Sequence, residues 1–153
     1  MIDQAVTAAL NFPLPRVAAR YQQLYGLSSR DVARHERELK RYLVLRSKLG
    51  HAALPTPKVL DRLWHVFLLY TRDYTEFCDT LGGFIHHVPV ESSPAGEEVT
   101  ERYRELLEQY EEMFRELPPS DVWPTLDAAG RFGDRDAALI GELGDCDSAI
   151  DVA

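Results

Sequence analysis

Residues 61–89 read DRLWHVFLLYTRDYTEFCDTLGGFIHHVP, and most of the reactive side chains of the chain lie in this stretch. It holds three of the five histidines and one of the two cysteines, among Leu, Phe, Trp and Tyr. An ionisable side chain in apolar surroundings is costly unless it is paired, hydrogen-bonded or bound to a metal. The stretch is therefore the first candidate for a functional site.

The N-terminal part of the chain carries the start and stop signals of two helices. Residues 16–25 follow two prolines and end before Gly26, which is typical of a helix with a glycine stop. Ser28 stands three residues before Asp31, a spacing that favours a helix N-cap. The helix that it opens is predicted to run to about residue 49, where Gly50 ends it.

The apolar stretch itself predicts two helices and an extended segment. Thr56 and Pro57 form a start signal, and residues 58–70 are apolar around nearly the whole circumference, which predicts a buried, central helix. Thr71 offers a second cap, so we expect a break there and a further helix through Cys78. The two glycines at 82 and 83 end that helix, and residues 84–89 are expected to be extended because the residue before a proline disfavours the helical region.

The rest of the chain predicts one more long helix and a weaker C-terminal region. Residues 97–117 have an apolar stripe opposed by glutamates. Trp123 and Phe132 are expected to pack back on the bundle, and residues 136–143 to form a short helix. We predict an all-α bundle of about five helices with a short extended His-His segment, as one helical domain at residues 1–143. Residues 144–153 are predicted to be a weakly ordered, mobile acidic tail.

Charge and composition exclude several classes of protein. The net charge of −8 leaves no basic excess to neutralise phosphates, which argues against a nucleic-acid partner. No apolar run reaches the roughly 20 residues of a membrane span, and the N-terminus lacks the features of a signal peptide. Cys78 and Cys146 lie in different contexts and suggest no disulfide framework. The sequence thus predicts a cytoplasmic protein, with a protein partner left open.

Asp61, His65, Cys78, His86 and His87 are the candidate site residues. Asp61 and His65 are spaced i, i+4, which places their side chains on one face of a helix. Adjacent residues of an extended segment point to opposite sides, so we expect only one of His86 and His87 to join them. A break near Thr71 is needed for Cys78 to reach the same place, since on one straight helix it lies off the face of His65.

These residue types are those that bind zinc and, less often, iron. The first hypothesis is therefore a transition-metal site, zinc first and iron second. Asp61 would be either a ligand or a hydrogen-bond partner of a ligand. The sequence lacks the compact CxxC and HExxH patterns. Two alternatives stay open: an interaction module in which the polar cluster is structural, and an enzyme with Cys78 as its nucleophile.

The same stretch resembles the glycine-rich domain-containing protein-like family. The shared pattern is P-x-x-x-L-D-x-x-W-H, then Y-x-x-F-C, a glycine and F-I-H-H-x-P. In this chain the matching residues are Pro57, Leu60, Asp61, Trp64, His65, Tyr74, Phe77, Cys78, Gly82, Phe84, Ile85, His86, His87 and Pro89.

Two positions depart from that family. Its members often carry a second histidine two residues after the first, and a proline at the start of the next segment, where this chain has Phe67 and Arg72. The family proline implies the same helix break that we expect near Thr71. The chain also lacks the glycine-rich region that names the family, and the resemblance implies no particular reaction.

Overall fold

The protein is all-α, as predicted. A computed structural model describes residues 2–50, 54–87 and 96–132. Within these residues there are six helices and no strand, and an isolated bridge joins Leu126 and Phe132. The helices are α1 (Gln4–Leu10), α2 (Pro15–Tyr25), α3 (Ser29–Leu49), α4 (Lys58–Leu69), α5 (Thr71–Thr80) and α6 (Gly96–Phe114). The predictions for residues 136–143 and 144–153, and for Cys146, lie outside the described residues.

Helix α1 was not among the predicted helices, although the sequence carries its signals. The Asp3 side chain caps the helix by accepting a hydrogen bond of 2.9 Å from the backbone N–H of Val6. Val6 and Ala9 share the i, i+3 spacing of a helix face, and both are buried. Lys48 of α3 holds the same aspartate at 2.8 Å. The helix is only two turns long, so its apolar face is too short to stand out as a periodic pattern.

The predicted ends of α2 and α3 are confirmed. Gly26 and Gly50 both adopt the left-handed backbone conformation that ends a helix, with φ of 60° and 65°. The Ser28 hydroxyl accepts the backbone N–H of Asp31 at 3.1 Å and so caps α3. Local capping signals alone therefore determined these boundaries.

Helix α4 begins without the side-chain cap that the sequence predicted at Thr56. Pro57 is the N-cap residue, the first helical residue is Lys58, and no side chain caps the helix. The Thr56 hydroxyl instead lies 2.7 Å from the buried Tyr42 hydroxyl of α3. A buried hydroxyl without a hydrogen-bond partner is costly, whereas an uncapped helix end can be solvated by other groups. The tertiary contact of Thr56 with Tyr42 therefore forms instead of the cap.

The helix break predicted near residue 71 is confirmed. Tyr70 ends α4 and precedes α5, with a non-helical φ of −95° and ψ of 68°. The new helix buries Tyr74, Phe77 and Cys78. It packs against α1 and α4. The break thus folds the second helix back onto the first.

Helix α6 is shorter than predicted. It ends at Phe114, and Arg115 adopts a positive φ of 55°. Leu117, which the sequence placed in the apolar stripe, is 78% exposed. The chain turns back after this point, and Trp123 and Phe132 pack on the bundle as predicted.

Helix α3, rather than α4, occupies the centre of the bundle. It packs against α1, α2, α4 and α6, whereas α4 packs against α2, α3 and α5. One face of α4 even reaches the surface at Leu69, which is 51% exposed. The buried residues of α3 include three charged side chains among apolar ones: Val32, Glu38, Leu39, Lys40, Tyr42, Leu43, Val44, Leu45 and Arg46. None of the helices in the described residues is both long and apolar enough to cross a membrane.

Glu38 ties α3 to α6 and to the segment after it. Its carboxylate is 1% exposed and accepts hydrogen bonds from the Tyr110 hydroxyl at 2.8 Å and the Trp123 indole at 2.9 Å. Arg37 and Arg41 place their guanidinium groups at 3.1 Å and 3.7 Å from the same carboxylate. A buried charge with this many partners is stable where it is, and it is costly to remove.

We therefore expect Glu38→Ala to lower the free energy of unfolding by about 3 kcal/mol or more, since it leaves a buried hydroxyl and a buried indole N–H without their acceptor. Urea unfolding followed by circular dichroism measures this loss. Glu76→Ala, at an exposed position of α5, should change the stability by less than about 0.5 kcal/mol. Equal effects of the two substitutions would contradict this account of Glu38.

Candidate metal centre

Helix α4 presents Asp61 and His65 on the same face, as their i, i+4 spacing predicts. The Nδ1 atom of His65 lies 3.6 Å from Oδ2 of Asp61. The two side chains are 24% and 22% exposed, so they lie at the edge of the core. This leaves one side of the pair open to solvent.

The return segment, residues 84–87, brings His87 to this pair. Its side chains alternate as expected of extended backbone: Ile85 is buried, His86 is exposed and His87 turns inward. Nε2 of His87 lies 2.8 Å from Oδ1 of Asp61, and the His87 and His65 ring centroids are 4.6 Å apart. Asp61 thus contacts both rings, with one carboxylate oxygen near each.

Asp61, His65 and His87 form what we call the His-Asp cluster. Each offers one ligand atom, and the three atoms lie within 4.8 Å of one another. Zinc binds nitrogen and oxygen at about 2.0–2.2 Å, so two ligands of a tetrahedral ion are about 3.3 Å apart. Small rotations of the three side chains would therefore bring them to a common ion.

Burial prepares His65 for the role of a neutral ligand. Removal from water lowers the pKa of His65 below its ordinary value, and the neighbouring His87 acts in the same direction, while Asp61 opposes it. A neutral imidazole keeps a lone pair, which a metal ion requires. At neutral pH His65 is therefore in the form that binds a metal.

Cys78 does not join the cluster. Helix α5 buries it completely, and it contacts the Tyr74 hydroxyl and the backbone N–H of Ile85. Burial raises the pKa of the Cys78 thiol. The helix break does fold this residue back onto α4, but on the side that packs into the core. Its surroundings are those of a small buried apolar residue.

His86 also lies apart from the cluster. Its side chain is exposed and its ring packs at 4.8 Å from that of Phe84. Its backbone carbonyl, rather than its ring, makes the contact with the core by accepting a hydrogen bond from Arg46 at 3.0 Å. Of the five predicted residues, the structure thus brings Asp61, His65 and His87 together.

Two further residues near the cluster, Trp64 and Arg46, were not among the candidate site residues predicted from the sequence. Trp64 packs its ring 4.3 Å from that of His87, and Arg46 places its guanidinium 5.1 Å from the Trp64 ring centroid. The signal for Arg46 was its position directly after the buried run of α3, at helical spacing from Tyr42. A cation at such a position needs local partners, and here they lie around the return segment.

The lowered pKa of His65 predicts a pH dependence of stability in metal-free protein. Below about pH 6.5 the unfolded chain takes up a proton at this position before the folded protein does. The free energy of unfolding should therefore fall as the pH drops below 6.5, and the loss is complete below the folded pKa. Burial lowers the pKa of His35 too, so it contributes in the same direction.

Urea unfolding between pH 8 and pH 5, in the presence of a chelator, measures this dependence. His65→Asn should make the fall shallower. A proton NMR titration of His65 with a midpoint above 6.5 would be inconsistent with the burial argument.

The position of Cys78 predicts slow alkylation. A buried thiol with a raised pKa has little thiolate and no access for a reagent. We expect iodoacetamide to modify Cys78 in folded protein far more slowly than in urea-unfolded protein, as measured by peptide mass spectrometry. Rapid labelling of Cys78 in the folded protein would instead support the nucleophile hypothesis.

The comparison with protein families covers the cluster and most of the helices. Residues 4–110 match the sequence profile of the UCP032817-like family. That span contains α1 to α5, most of α6 and all three residues of the His-Asp cluster. No curated protein and no solved structure gave a significant match. None of these comparisons tests the resemblance to the glycine-rich domain-containing protein-like family, which stays a prediction. The chain belongs to the UCP032817-like family.

Proposed function

We propose that this protein binds a divalent transition metal, zinc first and iron second, through Asp61, His65 and His87. The observation that supports the proposal is the convergence of three ligand atoms within 4.8 Å from two separate parts of the chain. Two imidazoles and a carboxylate are ligands that both metals accept. The cysteine usage of the sequence adds a cytoplasmic location to the proposal.

Three protein ligands would leave coordination positions for water or a substrate. Catalytic zinc sites follow this pattern, and two histidines with one carboxylate also form the ligand set of non-haem iron oxygenases. The partial exposure of all three side chains, between 15% and 24%, gives such molecules an approach. A buried structural site would instead need a fourth protein ligand, and Cys78 and His86 lie outside the cluster.

The proposal predicts about one equivalent of zinc per chain in protein purified without a histidine tag, since the three ligands form one site. His65→Asn, His87→Asn and Asp61→Asn should each lower the affinity for zinc by about 100-fold or more, because each removes a ligand or the group that orients one. Competition with a chromophoric chelator measures the affinity, and elemental analysis measures the content.

His86→Asn is the matched control, because it removes the adjacent histidine and leaves the cluster intact. Its affinity for zinc should equal that of the unmodified protein. Metal content well below one equivalent, unchanged by His65→Asn, would overturn the proposal.

A second candidate function is an interaction module in which the cluster is structural. It is favoured by the 2.8 Å contact between Asp61 and His87, which satisfies both groups without a metal. The side chains of Leu69 and Phe84, on the two elements that carry the cluster, are each 51% exposed. On this view chelator has no effect on stability, whereas His87→Asn lowers the melting temperature.

A further inference from the structure

The return segment follows a flexible turn, yet the cluster needs its histidine in a fixed place. Gly82 adopts a φ of +86°, which L side chains rarely adopt, and the exposed Gly83 follows it. Glycines leave the backbone many conformations in the absence of other contacts. A metal ligand must be held to within about 0.5 Å of its place. Other contacts must therefore hold residues 84–87.

Two buried side chains hold consecutive backbone carbonyls of this segment. The Tyr74 hydroxyl donates to the carbonyl oxygen of Ile85 at 2.5 Å, and the Arg46 guanidinium donates to that of His86 at 3.0 Å. Arg46 also donates to the Tyr42 hydroxyl at 3.3 Å, so that contacts within α3 fix its own position. Both peptide groups directly before His87 are thus anchored to helices.

The indole of Trp64 connects these two anchors to the His87 ring. Its Nε1 donates to the Tyr74 hydroxyl at 3.0 Å. Its ring lies 4.3 Å from that of His87 and 5.1 Å from the Arg46 guanidinium. Arg46 and Tyr74 therefore act on the backbone before His87 and, through the indole, on the plane of its ring.

We infer that Arg46 and Tyr74 are positioning residues of the His-Asp cluster, which fix His87 against Asp61 through the carbonyls of Ile85 and His86. The inference rests on the proposed metal site for its consequence, since neither side chain is a ligand. The positioning itself is a property of the metal-free protein. It can be measured there as well.

The test compares Tyr74→Phe and Arg46→Met with the unmodified full-length protein. Both variants should bind zinc about 10- to 100-fold more weakly, the range typical of groups that orient a metal ligand. The visible absorption bands of the cobalt(II)-loaded protein should shift, because the ligand geometry changes. In zinc-free protein, the ¹⁵N shifts of the His87 ring should move toward those of a free imidazole.

Tyr103→Phe is the matched control. The Tyr103 hydroxyl is buried and donates to the carbonyl oxygen of Pro124 at 2.7 Å, so its removal costs stability in the same way as that of Tyr74 but away from the cluster. It should leave zinc affinity, cobalt bands and His87 shifts unchanged. This separates positioning from a general loss of stability.

The outcomes distinguish this inference from the proposed function. Unmodified protein that binds no zinc overturns the metal site, whereas zinc binding with the same affinity in folded Tyr74→Phe overturns the positioning role alone. Should Arg46→Met not fold, Tyr74→Phe decides, since it removes only one oxygen atom. A loss of affinity in Tyr103→Phe equal to that in Tyr74→Phe would also overturn the inference.

Discussion

The contact between the Asp61 carboxylate and the His87 imidazole joins positions 26 residues apart, and the arrangement of the His-Asp cluster depends on it. It forms only if α4 turns Asp61 toward the edge of the core, if the chain reverses at Tyr70, and if it returns after the glycine turn. Helix periodicity sets the first condition, the non-helical backbone of Tyr70 sets the second, and the positive φ of Gly82 sets the third. The Asp61–His87 contact therefore forms only when residues 61–87 follow this path.

The surroundings of this contact are unusual because polar atoms lie deep in an aromatic core and are satisfied there. Among the described residues, no buried side-chain nitrogen or oxygen lacks a hydrogen-bond partner. Trp64 shows why: its N–H has the Tyr74 hydroxyl as acceptor, and its ring packs against a histidine and an arginine. A fully satisfied network in a medium of low dielectric constant is rigid, since any displacement leaves a polar group unpaired. Rigidity of this kind suits a site whose ligands must converge.

Glu38, near the middle of α3, carries a second network of satisfied polar groups. It links that helix to α6 and to Trp123 through a carboxylate that is 1% exposed. Its donors come from three parts of the chain, and the carboxylate that accepts from them is buried. The two polar networks thus differ: the Glu38 carboxylate is shielded from solvent, whereas the three side chains of the His-Asp cluster are partly exposed.

The sequence was sufficient where the cause is local. Four features depend on neighbours within a few residues: the cap at Ser28, the glycine stops at 26 and 50, the i, i+4 pair on α4, and the alternation that turns only one of His86 and His87 inward. Which of the two histidines turns inward did not follow from the sequence. It was insufficient where a tertiary contact decides. Thr56 pairs with Tyr42 rather than capping α4, and Cys78 faces the core.

The remaining errors came from packing that a single sequence does not display. The two turns of α1 bury only Val6 and Ala9, too few residues to form a periodic pattern. Helix α6 ends at Phe114 because the backbone reverses at Arg115, which adopts a positive φ. No glycine marks this position, so the sequence did not predict the reversal. In the sequence, Arg46 resembles a solvated helix residue, because its acceptor lies in the distant return segment.

The protonation of His87 decides which role Asp61 takes if a metal binds. Nε2 of His87 has a single site, which holds either the proton that Asp61 accepts or a lone pair directed at an ion. With an ion on Nε2, that proton would pass to solvent and both carboxylate oxygens would be free to bind the metal. With the ion on Nδ1, the hydrogen bond persists and Asp61 orients the ring. Because Asp61 places Oδ1 near His87 and Oδ2 near His65, it would be within reach of an ion shared by the two imidazoles. In the proposed metal site, this position of the carboxylate would favour direct ligation, with the metal ion in place of the Nε2 proton.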